Sequence, residues 1–168
     1  PRLMAEAGDE PYRRYALTET GVSPMALPGQ AGCMYTADGL EHNPRGTPSS
    51  MAKDHLLQSQ KRHHKLQRFA YGRYWAEIRG SGPIALVTWG SATGAVVEAA
   101  ERLTAAGKGA RAIALRLIAP LCHTELAQAL ADAEDILVVE QNQGAQLFHY
   151  LHAEQALPAG ARSLARPG

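Results

Sequence analysis

Cysteine is nearly absent from this chain: Cys33 and Cys122 are the only thiols in 168 residues. Two isolated cysteines exclude a disulfide-built scaffold and fit a reducing compartment, so a cytoplasmic protein is expected. They also exclude an iron–sulfur cluster held by this chain alone, because such clusters usually take four thiolates. An excess of one charge is missing too. Lys and Arg number 17 against 16 Asp and Glu, a formal net charge of +1. That balance points to neither nucleic acid nor an anionic membrane as a partner. No apolar run reaches the roughly 18 residues of a membrane span. No secretory leader pattern opens the chain, and the start at Pro1 without a methionine leads us to expect a piece of a longer protein. Residues 164–168 show no closing element.

What is present changes character twice. Residues 1–48 are rich in Gly, Pro, Thr and Asn and have no period. Asp38-Gly39 and Asn43-Pro44-Arg45-Gly46 are turn signals. A stretch this long without periodicity is unusual inside a compact domain, and we expect it to lie against something outside the chain. Residues 49–80 read as a long basic connecting helix. Thr47 or Ser49 serves as its cap, Pro48 suits a first turn, and Met51, Leu56, Leu66, Phe69 and Ala70 fall near one face. The pattern carries the helix to about Ile78, with Gly72 as a point where it weakens or ends near Arg73, before the break at Gly80-Ser81-Gly82-Pro83.

Residues 83–168 alternate strand and helix signals. Strands are expected at 84–89, 112–118 and 136–139, and helices at 91–106, 124–133 and 144–156. Strands apolar on both faces, separated by such helices, imply a three-layer α/β domain built on a parallel sheet.

In open parallel sheets, ligands gather beyond the C-terminal strand ends, and three loops are expected there. Trp89-Gly90-Ser91-Ala92-Thr93-Gly94 opens a helix, and its backbone N–H groups suit a phosphate or carboxylate. It lacks both a Gly-x-Gly-x-x-Gly pattern and a P-loop lysine, so an ordinary turn capped by Ser91 or Thr93 is the favoured reading. Cys122-His123 are sequence neighbours without a third orienting group, which favours a buried thiol over a nucleophile. Glu140-Gln141-Asn142-Gln143-Gly144 is amide-rich after an apolar strand, and we read it as a docking edge rather than a catalytic set. The pairs His63-His64 and His149/His152 lack companions that would complete a metal site, so solvated helix faces are expected. No catalytic, cofactor or metal residue is therefore assigned. The interface or ligand-edge candidates are Ser91, Thr93, Glu140, Asn142 and Gln143.

Several longer stretches point further. Tyr15-Ala16-Leu17-Thr18-Glu19-Thr20-Gly21-Val22-Ser23-Pro24 with Pro28-Gly29, then Tyr35-Thr36-Ala37-Asp38-Gly39-Leu40-Glu41-His42, then Lys61-Arg62 with Lys65-Leu66, occur in this order. Thr88-Trp89-Gly90-Ser91, Val139-Glu140-Gln141-Asn142 and Gln146-Leu147 follow. Together they resemble the alpha subunit of 2-oxoacid:ferredoxin oxidoreductases, particularly the 2-oxoglutarate enzymes. One departure is local: the family often has glycine before that glutamine, where this chain has Ala145 after Gly144.

The resemblance implies a thiamine diphosphate-dependent enzyme that oxidatively decarboxylates a 2-oxoacid, forms acyl-coenzyme A and reduces ferredoxin. It implies that thiamine diphosphate, magnesium and the iron–sulfur cluster belong to other parts of the enzyme. Residues 1–48 become the tail of a pyrimidine-side domain, and 83–168 a domain similar to the transketolase C-terminal domain. That domain serves subunit packing and assembly and is inactive alone. The implied partners are the beta subunit, a second alpha subunit and, for the whole complex, ferredoxin. The alternative is a free-standing small-ligand or nucleotide-binding α/β module using the Gly90–Gly94 loop.

Overall fold

The structure, a computed structural model, describes residues 3–6 and 11–167. It divides into two units, Pro1–Ala70 and Tyr71–Gly168.

In the first unit, the chain before residue 51 runs in turns and single bridges, Met4 with Met25 and His42 with Pro48. A small apolar cluster of Ala5, Tyr12 and Cys33 with Ala26 anchors it. The Tyr12 hydroxyl donates to the Pro24 carbonyl and accepts the Ala26 N–H, both at 3.0 Å. Helix α1 spans Ala52–Arg68. Ser49 Oγ accepts the Met51 N–H at 3.3 Å and donates to Asp54 Oδ2 at 2.6 Å, which steadies the entry. Asp54 in the first turn and Lys65 and Arg68 in the last match the helix dipole.

Two expectations for this helix are corrected. It does not run to residue 78 but stops at Arg68, shortly before the earlier end expected at Gly72: Phe69 turns to extended backbone, Gly72 takes φ +51°, and Gly72–Tyr74 form a short 3₁₀ turn. The buried face is also different. Met51, Leu56, Leu66 and Phe69 are exposed, and the one buried residue of α1 is Gln58. The reason is that α1 packs on polar backbone, with Gln58 Nε2 donating to the Tyr15 carbonyl at 3.0 Å.

In the second unit the strands are β1 Ala76–Gly80, β2 Ile84–Trp89, β3 Ala110–Leu115, β4 Asp135–Glu140 and β5 Arg162–Ala165. The helices are α2 Thr93–Ala105, α3 His123–Leu130 and α4 Gln146–Ala153. The sheet order is β1-β3-β2-β4-β5. Strands β3, β2, β4 and β5 are parallel; β1 joins β3 antiparallel, with Ile78 opposite Ile113. The sheet is thus mixed, mostly parallel. Two of its strands escaped the sequence reading. β1 lies where apolar spacing continued the helix pattern, and its far side is open, with burial confined to its start. β5 reaches, at Leu164 and Ala165, into the stretch expected to lack a closing element, and is held by Arg162 to Asp135 at 2.6 and 2.8 Å.

Alternation along β2 sorts the layers. Ala85 and Val87 point to one face, where Ile113, Val138, Leu126, Leu130, Leu147 and Leu151 complete the larger cluster. Leu86 points to the other, with Ala112, Val96 and Ala100 of α2. Helices α3 and α4 therefore cover one face and α2 the other. Leu126 and Leu151 are wholly enclosed, and each such side chain contributes roughly 1.5–3 kcal/mol. β3 stops at Leu115 rather than 118 because Arg116 and Leu117 both donate their N–H groups to the Trp75 carbonyl, at 2.8 and 3.0 Å. No helix among the described residues is long and apolar enough to cross a membrane.

Candidate ligand and docking edge

Parallel pairing puts the C-terminal ends of β2, β3 and β4 on one edge of the sheet, so Trp89, Leu115 and Glu140 open three neighbouring loops. β2 and β4 are adjacent, and their loops meet: Ser91 Oγ donates to Gln141 Oε1 at 3.4 Å. Beneath them, the enclosed Thr88 hydroxyl donates to the Val139 carbonyl at 2.8 Å, tying the two strands where they enter the loops.

The five candidates do not converge on one point. Ser91 and Gln143 are exposed on the surface. Thr93 opens α2, after a 3₁₀ turn over Gly90–Ala92, and lines a cavity of about 670 Å³ with Trp89, Gly90, Leu115, Arg116 and Glu77. Glu140 faces the other way. It is 3% exposed, and its carboxylate accepts the N–H groups of Leu147 at 2.8 Å and Phe148 at 3.1 Å. Asn142 Nδ2 donates to the same carboxylate at 2.5 Å, and Asn142 Oδ1 accepts the Gln146 N–H at 3.3 Å. An anion and an amide oxygen thus satisfy the first N–H groups of α4, where the helix dipole favours negative charge. Such a cap can sit seven residues before Leu147 only because Ala145, at φ +46°, turns the chain back into α4.

Glu77, Arg79 and Arg116 form the polar rim that the sequence reading missed. Glu77 bridges Arg79 at 2.6 Å and Arg116. The hydrogen bond from Arg79, then that from Arg116, holds the Glu77 carboxyl below its ordinary range. The signal was the alternation Ala76-Glu77-Ile78-Arg79, which spaces two opposite charges on one strand face.

The Cys122–His123 neighbours do not form a nucleophile pair. Burial, then the charge of Glu125, pushes the Cys122 thiol up, whereas an attacking thiolate needs the opposite. His123 Nε2 lies 3.2 Å from Glu154 Oε2, and the His152 ring packs edge-on against Phe148 at 4.5 Å. Among the described residues no three His, Cys, Asp or Glu side chains converge as metal ligands. The described residues do not fit a magnesium–diphosphate centre or an iron–sulfur cluster.

Residues 73–159 match the family model of the transketolase C-terminal domain. Subunit alpha of 2-oxoacid:ferredoxin oxidoreductase 2 from Aeropyrum pernix is 31% identical over 151 residues, 87% of this chain and 23% of that protein. The alpha subunit of the 2-oxoacid:ferredoxin oxidoreductase of Saccharolobus solfataricus is 30% identical over 146 residues, 84% of this chain and 23% of that protein. Among solved structures, the 2-oxoglutarate:ferredoxin oxidoreductase from Magnetococcus marinus, with 2-oxoglutarate, coenzyme A and succinyl-CoA bound, superposes with a TM-score of 0.74 at 31% identity. That match covers 98% of this chain and 29% of the other. The chain spans about a quarter of the length of these two curated relatives, 23% of each. With the family model covering more than half of its length, the chain belongs to the transketolase C-terminal domain family, and its homologues are alpha subunits of 2-oxoacid:ferredoxin oxidoreductases.

Proposed function

We propose that this chain is the C-terminal part of the alpha subunit of a cytoplasmic 2-oxoglutarate:ferredoxin oxidoreductase, serves subunit packing and assembly, and is inactive alone. The observation that carries this reading is the match to the Magnetococcus marinus enzyme across 98% of the chain at 31% identity. In this reading residues 1–48 are the tail of a pyrimidine-side domain, α1 is the connecting helix, and 83–168 are the packing domain. Thiamine diphosphate, magnesium and the iron–sulfur cluster are held by other parts of the enzyme. The partners are the beta subunit and a second alpha subunit, with ferredoxin as the acceptor of the complex.

The sheet edge supports the assembly role. Glu140 and Asn142 spend their polar atoms on α4 and keep the loop rigid. Ser91, Thr93 and Gln143 are then left to meet a partner. A buried carboxylate that caps a helix is not available as a base.

The test has two arms. The isolated chain is incubated with thiamine diphosphate, magnesium, coenzyme A, 2-oxoglutarate and a dye acceptor, and no turnover is expected. Turnover would overturn the claim of inactivity. Co-purification with a thiamine-binding beta subunit is then scored for wild type and for Ser91→Arg/Gln143→Arg. Retention by wild type and loss in the double variant is expected. Equal retention would remove these residues from the interface.

A further inference from the structure

We infer that a cavity in the first unit, between α1 and the backbone of residues 14–25, is a binding site for a phosphate-bearing anion. The cavity holds about 390 Å³, and Arg14, Tyr15, Ser23, Lys61, Arg62 and Lys65 are among its lining residues. That volume is within the roughly 300–1,000 Å³ typical of small-molecule sites. Four of the lining side chains are cations and none is a carboxylate. Clustered like charges oppose folding unless something compensates them.

The compensation present is incomplete. Arg62 is paired, donating to both Glu41 oxygens at 3.2 and 2.9 Å. His55 lies on the same carboxylate at 3.1 Å. Among the described residues Arg14, Lys61 and Lys65 have no carboxylate within ion-pair distance. Lys61 is half-buried, and its ammonium donates to the Tyr15 carbonyl at 3.1 Å, to Ser23 Oγ at 3.0 Å and to the Ala16 carbonyl at 3.4 Å. It is therefore a fixed charge built into the wall. Burial first, then the charges of Arg14, Lys65 and Arg62, pull Lys61 down to about 8. The surplus positive field thus acts inside the cavity, where an entering anion would reverse it.

The wall is rigid in the places that matter. Gly21 takes φ +73°, and a Cβ there would meet the Lys61 carbonyl and Lys65 Cβ at 2.8 Å, so the loop runs directly against α1. Arg14 lies over the rings of Tyr15 and Tyr35 at 5.5 and 5.8 Å, and Tyr15 is itself stacked on His42 at 4.5 Å. Ring contacts of this kind hold the guanidinium while leaving its N–H edge available. The Ser23 hydroxyl donates to the Ala16 carbonyl at 2.8 Å and the Lys61 N–H groups are occupied, so Arg14 and Lys65 are the donors and Lys61 adds charge behind them. Such a set suits a phosphate, which carries about −1.5 to −2 charges and three acceptor oxygens, better than a single carboxylate. This inference does not depend on the proposed function.

The test is calorimetry on the full chain at low salt with inorganic pyrophosphate, adenosine 3′,5′-bisphosphate and succinate. Either phosphate ligand should bind, with affinity lost by about tenfold or more in Arg14→Gln/Lys65→Gln. Those substitutions leave the Lys61 contacts intact, and circular dichroism confirms folding. Tighter binding of the bisphosphate identifies a nucleotide as the source of the phosphate. Tighter pyrophosphate binding identifies a free or terminal diphosphate. As a second readout, acylation of Lys61 at pH 8 should slow when either phosphate is added. Phosphate binding unchanged in the double variant, succinate binding as tight as pyrophosphate, or absence of both heat and Lys61 protection would overturn the inference.

Discussion

Glu140 Oε2 accepts the backbone N–H of Leu147 at 2.8 Å, in a pocket that leaves Glu140 only 3% exposed. A strand end and a helix start are joined through one carboxylate. Replacing Glu140 by Gln keeps the shape but removes the charge and one acceptor oxygen from the start of α4. Removal of a charge-assisted cap costs about 1–3 kcal/mol. Urea denaturation should show a lower midpoint for Glu140→Gln, and a still lower one for Glu140→Ala. An unchanged midpoint in both would mean that α4 is held by its apolar face alone.

Ala145 offers the opposite change. Its φ of +46° places an L-residue in left-handed backbone, which favours glycine. The left-handed conformation costs a non-glycine residue roughly 1–2 kcal/mol, part of which glycine loses again through the entropy of the unfolded chain. Ala145→Gly should therefore raise stability by about 1 kcal/mol, read as a shift in thermal midpoint. A drop would show that the conformation is not strained.

Arg111 is buried at 6% exposure on β3. It donates to the Ala129 carbonyl at 3.1 Å, to the Gly82 carbonyl, and to Asp132 Oδ1 at 2.6 Å. Arg111→Leu leaves two carbonyls without a donor, at about 1–3 kcal/mol each before relaxation. A destabilisation above about 2 kcal/mol is expected by denaturant titration. Asp132→Ala should cost far less, since Asp132 is 80% exposed at its side chain.

Acid should weaken the first unit through Glu41. Its hydrogen bond with Arg62, then bonds from the His42 backbone and His55, hold its carboxyl at about 2, against an ordinary 4.5. A depressed carboxylate contributes stability that is complete above its unfolded value and is lost as pH falls through its folded one. The window is therefore pH 4.5 down to about 2. Arg62 is 51% exposed, so solvent reduces the effect to about 1 kcal/mol. Probes in the first unit should lose protection across that window, and Glu41→Gln should flatten the slope.

Legibility followed local pattern. β2, β4 and the inward leucines of α3 and α4 could be read because apolar runs and helical spacing coincide with burial. β1 could not, because Ala76, Ile78 and their neighbours also satisfy a helix period, and only pairing with β3 decides between them. The burial of α1 was misread for a related reason: its partner is the carbonyl-rich backbone around Tyr15, so Gln58 and Lys61 lie inward while Leu56 and Leu66 stay exposed. Glu140 was placed correctly at a strand end. Its orientation was hidden, because a polar loop reads the same whether it greets a partner or caps the next helix. Arg111 was invisible for want of any local signal for its partners at Gly82, Ala129 and Asp132, whereas the Glu77–Arg79 spacing carries meaning only once β1 is known to be a strand.

β5, only four residues long, lies along β4, whose Leu137–Glu140 would otherwise present a bare row of backbone donors and acceptors. Short, charged borders of this kind keep sheets from joining one another. β5 thus acts as a guard against self-association through β4. Trimming the chain at residue 161 uncovers that row, and light scattering should show more self-association than for the chain that keeps β5.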